Sequence, residues 1–236
     1  MREWYDRHLA QTIAQTTSPK IGVEMRCFLL LCAMVVTLGS EPSEAASWSV
    51  VTGRTVGAHD TVVDLRVGWP GISTTLLHGV TPKLDLGGIF TFNYGFEGDV
   101  TETRPGLKLQ ALLRANFYDS HKFNFGIHLA PGPLFYFYPA TTVAGIALPI
   151  GLDFGVHSSS QLNVGLTLDL PMFILFSSNV RRGEFVIPAL FGGGLEYFLA
   201  PNVAFTFKMG MGPIIYTRDG VANFDLQALV GFAFRL

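Results

Sequence analysis

The chain ends in NFDLQALVGFAFRL, and across its last thirteen residues the side chains alternate. Phe224, Leu226, Ala228, Val230, Phe232, Phe234 and Leu236 fall on one side of an extended backbone. Asp225, Gln227, Leu229, Gly231, Ala233 and Arg235 fall on the other. A period of two belongs to a β-strand, because successive Cβ atoms point to opposite faces. Such a strand exceeds the roughly 5–6 residues usual in globular sheets. It suits the roughly 9–11 residues that cross a bilayer at a tilt.

The same alternation recurs from Thr61 onward. KLDLGGIFTFNYGF sets Leu84, Leu86, Phe90, Phe92, Tyr94 and Phe96 against Asp85, Thr91 and Asn93. GLKLQALLRANF sets Leu107, Leu109, Ala111, Leu113 and Phe117 against Lys108, Gln110, Arg114 and Asn116. KFNFGIHL, IALPIGLDFGV, LNVGLTLDLPM and VAFTFKMGM repeat it. Short turns at 81–83, 119–121, 157–161 and 200–202 alternate with connections at 97–105, 138–142, 177–184 and 217–223, of which 138–142 is the shortest. This spacing predicts ten antiparallel strands at 61–69, 72–80, 84–96, 106–117, 122–137, 143–156, 162–176, 185–199, 203–216 and 224–236. Eight or twelve stay open, because WSVVTGRTV at 48–56 can pair or form a tail. In lipid every backbone N–H and C=O needs an internal partner, so the sheet must close and its last strand must zip to its first. The expected fold is all-β, a closed antiparallel up-and-down transmembrane β-barrel over 61–236, with FAFRL at the seam. The run LFYFY (134–138) and Trp69 are placed at strand ends as interfacial aromatics.

Composition agrees with a membrane strand protein. Charged residues make up 14% of the chain and mean hydropathy is +0.36, against roughly 25% charged in soluble domains. The uncharged stretch 130–152 carries Pro131, Pro133, Pro139 and Pro149, and interior prolines break a helix. A net charge of −2 without a Lys/Arg cluster excludes a nucleic-acid face. The only cysteines are Cys27 and Cys32, so the chain beyond them has neither a disulfide framework nor a Cys-based zinc site.

The N-terminus reads as an address. Arg26 follows Met25, an apolar run spans 27–38, and small residues lead to Ala46. Residues 25–46 therefore form a Sec-type signal peptide cleaved between Ala46 and Ser47. Residues 1–24 are read as an upstream extension from a mis-assigned start; a translated long n-region is the alternative. Residues 47–60 are expected to be a periplasmic segment.

A cleaved signal, a thiol-free mature chain, about ten amphipathic strands and an alternating C-terminal strand resemble the small outer-membrane β-barrel proteins of Gram-negative bacteria. GWPGIS, LHGV, NYGFEG and PGLKLQALLR point to an uncharacterised subfamily. The resemblance covers 60–236 and implies an outer-membrane location in contact with lipid and lipopolysaccharide. It also implies assembly by the Bam machinery through Phe232, Phe234 and Leu236, where Leu236 replaces the group's common terminal aromatic.

The inward faces would carry Asp64, Arg66, Asp85, Lys108, Arg114 and His128, followed by Asp153, Asp169, Glu196, Lys208, Asp225 and Arg235. Charges of both signs read as a structural network filling a narrow lumen, or alternatively as the lining of a narrow selective pore. A barrel hydrolase, omptin- or lipase-like, would need a base within hydrogen-bond reach of a nucleophile or water. His78, His121 and His157 fall near the periplasmic side. His128 faces the lumen, within possible reach of Asp153 or Asp169, and reads as a satisfied interior histidine. No Ser/His/Asp spacing, His-x-His pair or Glu-rich cluster stands out, and Gly192–Gly194 lacks the strand–turn–helix setting of a phosphate loop. The reading is non-enzymatic, without cofactor or metal: a structural or surface-binding barrel, or a narrow pore. A cell-surface hydrolase is the alternative. Arg181 and Arg182 read as a solvated loop, with contact to lipopolysaccharide phosphates or a ligand as the alternative.

Overall fold

The computed structural model describes residues 48–97, 103–120, 122–138, 141–176, 184–217, 220 and 222–236. The predicted extension, the signal peptide with its Ala46–Ser47 cleavage pair, His121, Arg181 and Arg182 lie outside the described residues. The strands are β1 (Thr61–Trp69), β2 (Gly71–Thr81), β3 (Leu84–Asn93), β4 (Gly106–Asp119), β5 (Phe123–Leu129) and β6 (Gly132–Tyr138). They continue with β7 (Thr141–Ser159), β8 (Leu162–Phe176), β9 (Glu184–Pro188), β10 (Leu190–Ala200), β11 (Val203–Tyr216) and β12 (Ala222–Arg235).

These twelve segments make ten spans. β5 and β6 share one register against β4, with Arg114 opposite His128 and Lys108 opposite Leu134. Pro131 lacks the N–H that would join them, yet its carbonyl accepts from Ala111 N at 2.9 Å. β9 and β10 likewise keep one register along β8 and β11 across Ala189, whose N–H donates to Pro213 O. Every span is antiparallel to its neighbours. β12 pairs with β1 from Val62↔Arg235 to Trp69↔Ala228, so FAFRL lies in the closing seam.

Alternation sorts the side chains. Leu65, Phe90, Leu109, Phe117, Ile146 and Phe191 face outward and are 46–61% exposed. A continuous apolar belt around a closed sheet is the lipid-facing surface of a membrane-spanning barrel. The architecture is a closed antiparallel transmembrane β-barrel. Phe117, Tyr118 and Phe123 mark the belt at the short-turn end, and Tyr94, Phe135 and Phe137 mark it at the long-loop end. The LFYFY run splits between the two faces, because Leu134 and Tyr136 are buried in the lumen.

Two stretches depart from expectation. β3 stops at Asn93 instead of continuing to 96, because Tyr94 N and Gly95 N both donate to Pro70 O beside the first hairpin. The chain then turns inward, and Phe96 packs edge-on against Tyr136 and Phe173. Residues 48–59, placed by the sequence in a periplasmic segment, instead lie within the barrel at its short-turn end. Trp48, Val51 and Val56 are all at most 3% exposed.

Candidate functional site: a filled, charged lumen

Residues 48–59 fit because inward glycines leave a channel beneath them. A Cβ on Gly165 would lie 2.8 Å from Val51 O, and one on Gly194 2.6 Å from Val51 Cγ1. One on Gly155 would meet Thr52 Cβ at 2.5 Å, and one on Gly126 would meet Gly53 O at 2.7 Å. The wall then supplies polar partners for a segment that is neither helix nor strand, as buried backbone groups require. Arg114 Nη2 donates to Ser49 O at 3.1 Å, to Thr52 O at 3.3 Å and to Arg54 O. Asp85 accepts from Val56 N at 3.1 Å and stands 3.7 Å from Arg114 Nε. Glu196, fully buried, accepts from Ser49 Oγ and Val50 N at 2.6 Å and from Asn163 Nδ2 at 3.1 Å. At the rim, Trp48 Nε1 donates to Pro201 O at 3.0 Å and Thr55 Oγ1 to Pro82 O at 2.8 Å. Arg54 pairs with Asp119 at 2.7 Å and Arg235 with Asp60 at 2.5 Å.

Above this segment lies a cavity of about 100 Å³. Val50, Val51 and Thr52 line it together with Asp64, Arg66, Arg114, His128, Asp153 and Lys208. Asp64 and Arg66 pair at 2.6 Å, and Thr206 Oγ1 donates to Asp64. His128 Nδ1 lies 2.6 Å from Asp153 Oδ2, and Nε2 lies 3.4 Å from Asp169 Oδ1. Lys208 holds the other Asp169 oxygen at 3.0 Å.

The long-loop end is sealed differently. Leu134, Tyr136, Phe173, Leu175, Val186 and Ile214 turn inward around Phe96 and form an apolar core. Arg104 stacks over the Phe96 and Tyr138 rings at 4.2 and 4.9 Å. Beside this core, Lys108 pairs with Glu97 at 2.5 Å, and Gln227 donates to Asp225 at 3.0 Å.

The twelve charged or titratable residues expected to face inward thus fall into three levels. Asp85, Arg114, Glu196 and Arg235 hold residues 48–60; Asp64, Arg66, His128, Asp153 and Lys208 line the cavity, with Asp169 behind His128 and Lys208; Lys108 and Asp225 lie below the outer seal. Sequence reasoning missed Ser49, Asp60 and Glu97 as partners, because all three lie outside the alternating strands. Of the assembly residues, Phe232 and Phe234 face outward, and Leu236 is 79% exposed with its N–H donated to Thr61 O. Among the described residues, His59, His78 and His157 stand at the short-turn end and His128 stands mid-barrel. None is at the long-loop rim.

No family model and no curated protein matches the chain. Among solved structures, the outer membrane protease OmpT from Escherichia coli aligns with a TM-score of 0.43 and 7% identity, over 76% of this chain and 94% of that one.

Proposed function

We propose that this chain is a closed outer-membrane barrel that works as a structural and surface-binding protein, without enzymatic activity and without a standing pore. The observation that carries the proposal is the filling of the lumen from both ends. Residues 48–59 occupy the short-turn end, and the Phe96 core occupies the other. Between them lies a cavity of about 100 Å³, lined mostly by charged and polar side chains and wide enough for water. The positions of the described histidines give no support to hydrolytic chemistry at the long-loop rim. A continuous outward apolar belt supports residence in the outer membrane, where the long loops would face lipopolysaccharide. Sec-type export and Bam-assisted insertion complete this reading.

Planar-bilayer recording of the purified barrel tests it. Silence across salts is expected, whereas steady single-channel conductance would favour the pore. Turnover of peptide or phospholipid substrates would establish the hydrolase instead.

A further inference from the structure

The mid-lumen histidine has a geometry that a charge network alone leaves unexplained. His128, Gly151 and Asp169 stand in one cross-strand row on β5, β7 and β8. Because the central position is glycine, the two flanking side chains lean over it and meet. A Cβ at 151 would lie 2.3 Å from Asp169 Oδ1 and 2.4 Å from His128 Cε1. Asp153, two residues along β7, takes His128 Nδ1 at 2.6 Å.

That last contact fixes the ring. The Asp153 contact orients the imidazole; in the tautomer with the proton on Nδ1, the Nε2 lone pair points away, the arrangement found behind metal-bound histidines. Here Nε2 points at Asp169 Oδ1 across 3.4 Å. Oδ1 is buried and has no hydrogen-bond donor among the described residues. In that tautomer two electron-rich atoms face each other. Ligands bound at about 2.0–2.1 Å to a tetrahedral ion stand about 3.4 Å apart, which matches this separation. Lys208 occupies the second Asp169 oxygen at 3.0 Å, so Asp169 would bind through Oδ1 alone. The cavity beside His128 has room for waters to complete the coordination.

The local charge points the same way. Asp64, Asp85 and Asp169 each have a cationic partner in Arg66, Arg114 and Lys208. Glu196 is hydrogen-bonded by neutral donors, and Asp153 is paired only with His128 among the described ion pairs. Around His128 three carboxylates, Asp64, Asp153 and Asp169, stand against two cations, Arg66 and Lys208, and a buried charge needs a counter-charge.

We propose that His128 Nε2 and Asp169 Oδ1 bind one divalent transition-metal ion inside the barrel, with Asp153 as the positioning residue and water completing the shell. Imidazole with carboxylate and water suits zinc, and the same thiol-free donor set also accepts cobalt. The proposal holds whether or not the lumen conducts.

The test uses the full chain carrying Cys27→Ser and Cys32→Ser, so that no thiol competes, folded in detergent and titrated with zinc chloride. One zinc per barrel is expected by calorimetry and by metal content after desalting. His128→Ala and Asp169→Asn should each weaken binding by more than tenfold, and Asp153→Asn by about 10–100-fold. His78→Ala, at the short-turn rim, should leave it unchanged. Cobalt should give a tetrahedral visible spectrum that is lost in His128→Gln. Heat-modifiable gel mobility reports whether each variant is folded. Absence of stoichiometric zinc in the unsubstituted barrel overturns the proposal without reference to any variant. So does undiminished binding in folded His128→Ala or Asp169→Asn.

Discussion

Arg114→Ala should loosen residues 48–59 from the wall while leaving the barrel closed. Arg114 is 8% exposed and its guanidinium serves three carbonyls of that segment, those of Ser49, Thr52 and Arg54. It also faces the fully buried Asp85 at 3.7 Å. Removing one partner of a buried pair costs about 3–5 kcal/mol, because the remaining charge is left uncompensated. Asp85 keeps its hydrogen bond from Val56 N, and the Arg114 contact is long, so the lower bound of about 3 kcal/mol applies. At 1.4 kcal/mol per tenfold, the opened population of the segment should rise by about 100-fold. Cleavage by trypsin after Arg54, followed by mass spectrometry at low protease, reads that population directly, since cleavage of a transiently opened segment tracks its equilibrium. A rate within a few-fold of the parent barrel, in a variant that keeps heat-modifiable mobility, would refute the assignment of Arg114 as the anchor.

Other perturbations separate the two faces of the sheet. Leu77 is 1% exposed in the lumen core and its neighbour Leu76 is 50% exposed outward. Leu77→Ala should therefore cost about 2–5 kcal/mol in urea unfolding, with a smaller change for Leu76→Ala. Leu109→Arg, on the outward face, should cost about 2–4 kcal/mol if it lies near the bilayer midplane, measured by folding into vesicles. Gly194→Ala would put a Cβ 2.4 Å from Phe207 O and 2.6 Å from Val51 Cγ1, so a loss of about 1–3 kcal/mol from overpacking is expected in the same unfolding assay. Phe234→Asp places a charge on the lipid face of the seam, opposite Val63. It should block assembly, read as loss of the outer-membrane form on gels.

Inside and outside were legible from strand parity alone. Asp85 and Leu86, or Leu109 and Gln110, are adjacent residues of opposite fate, and alternation assigns each correctly. The ten spans were legible for the same reason, because Pro131 and Pro188 interrupt hydrogen bonding without shifting the parity. What parity cannot give is register. His128, Gly151 and Asp169 form a row only through the pairing of three strands, and bulges such as that between His157 and Ser159 help set such pairings. The fate of 48–59 was hidden for a different reason. That segment has no period of its own, and its seat consists of glycines on four other spans, Gly126, Gly155, Gly165 and Gly194. Each of these reads in isolation as a strand glycine. Phe96 has the outward parity of its strand but leaves the strand before it can obey it.

Residues 48–59 lie inside the barrel, and single-cysteine labelling tests that directly. Every native cysteine lies at or before position 32, so with Cys27→Ser and Cys32→Ser the barrel carries one thiol at Val51→Cys, a position 3% exposed. A bulky membrane-impermeant maleimide should leave that thiol unreacted in the folded barrel and modify it fully in urea, while Asp119→Cys at the short-turn rim reacts in both. Rapid labelling of Val51→Cys in the folded barrel would contradict a filled lumen.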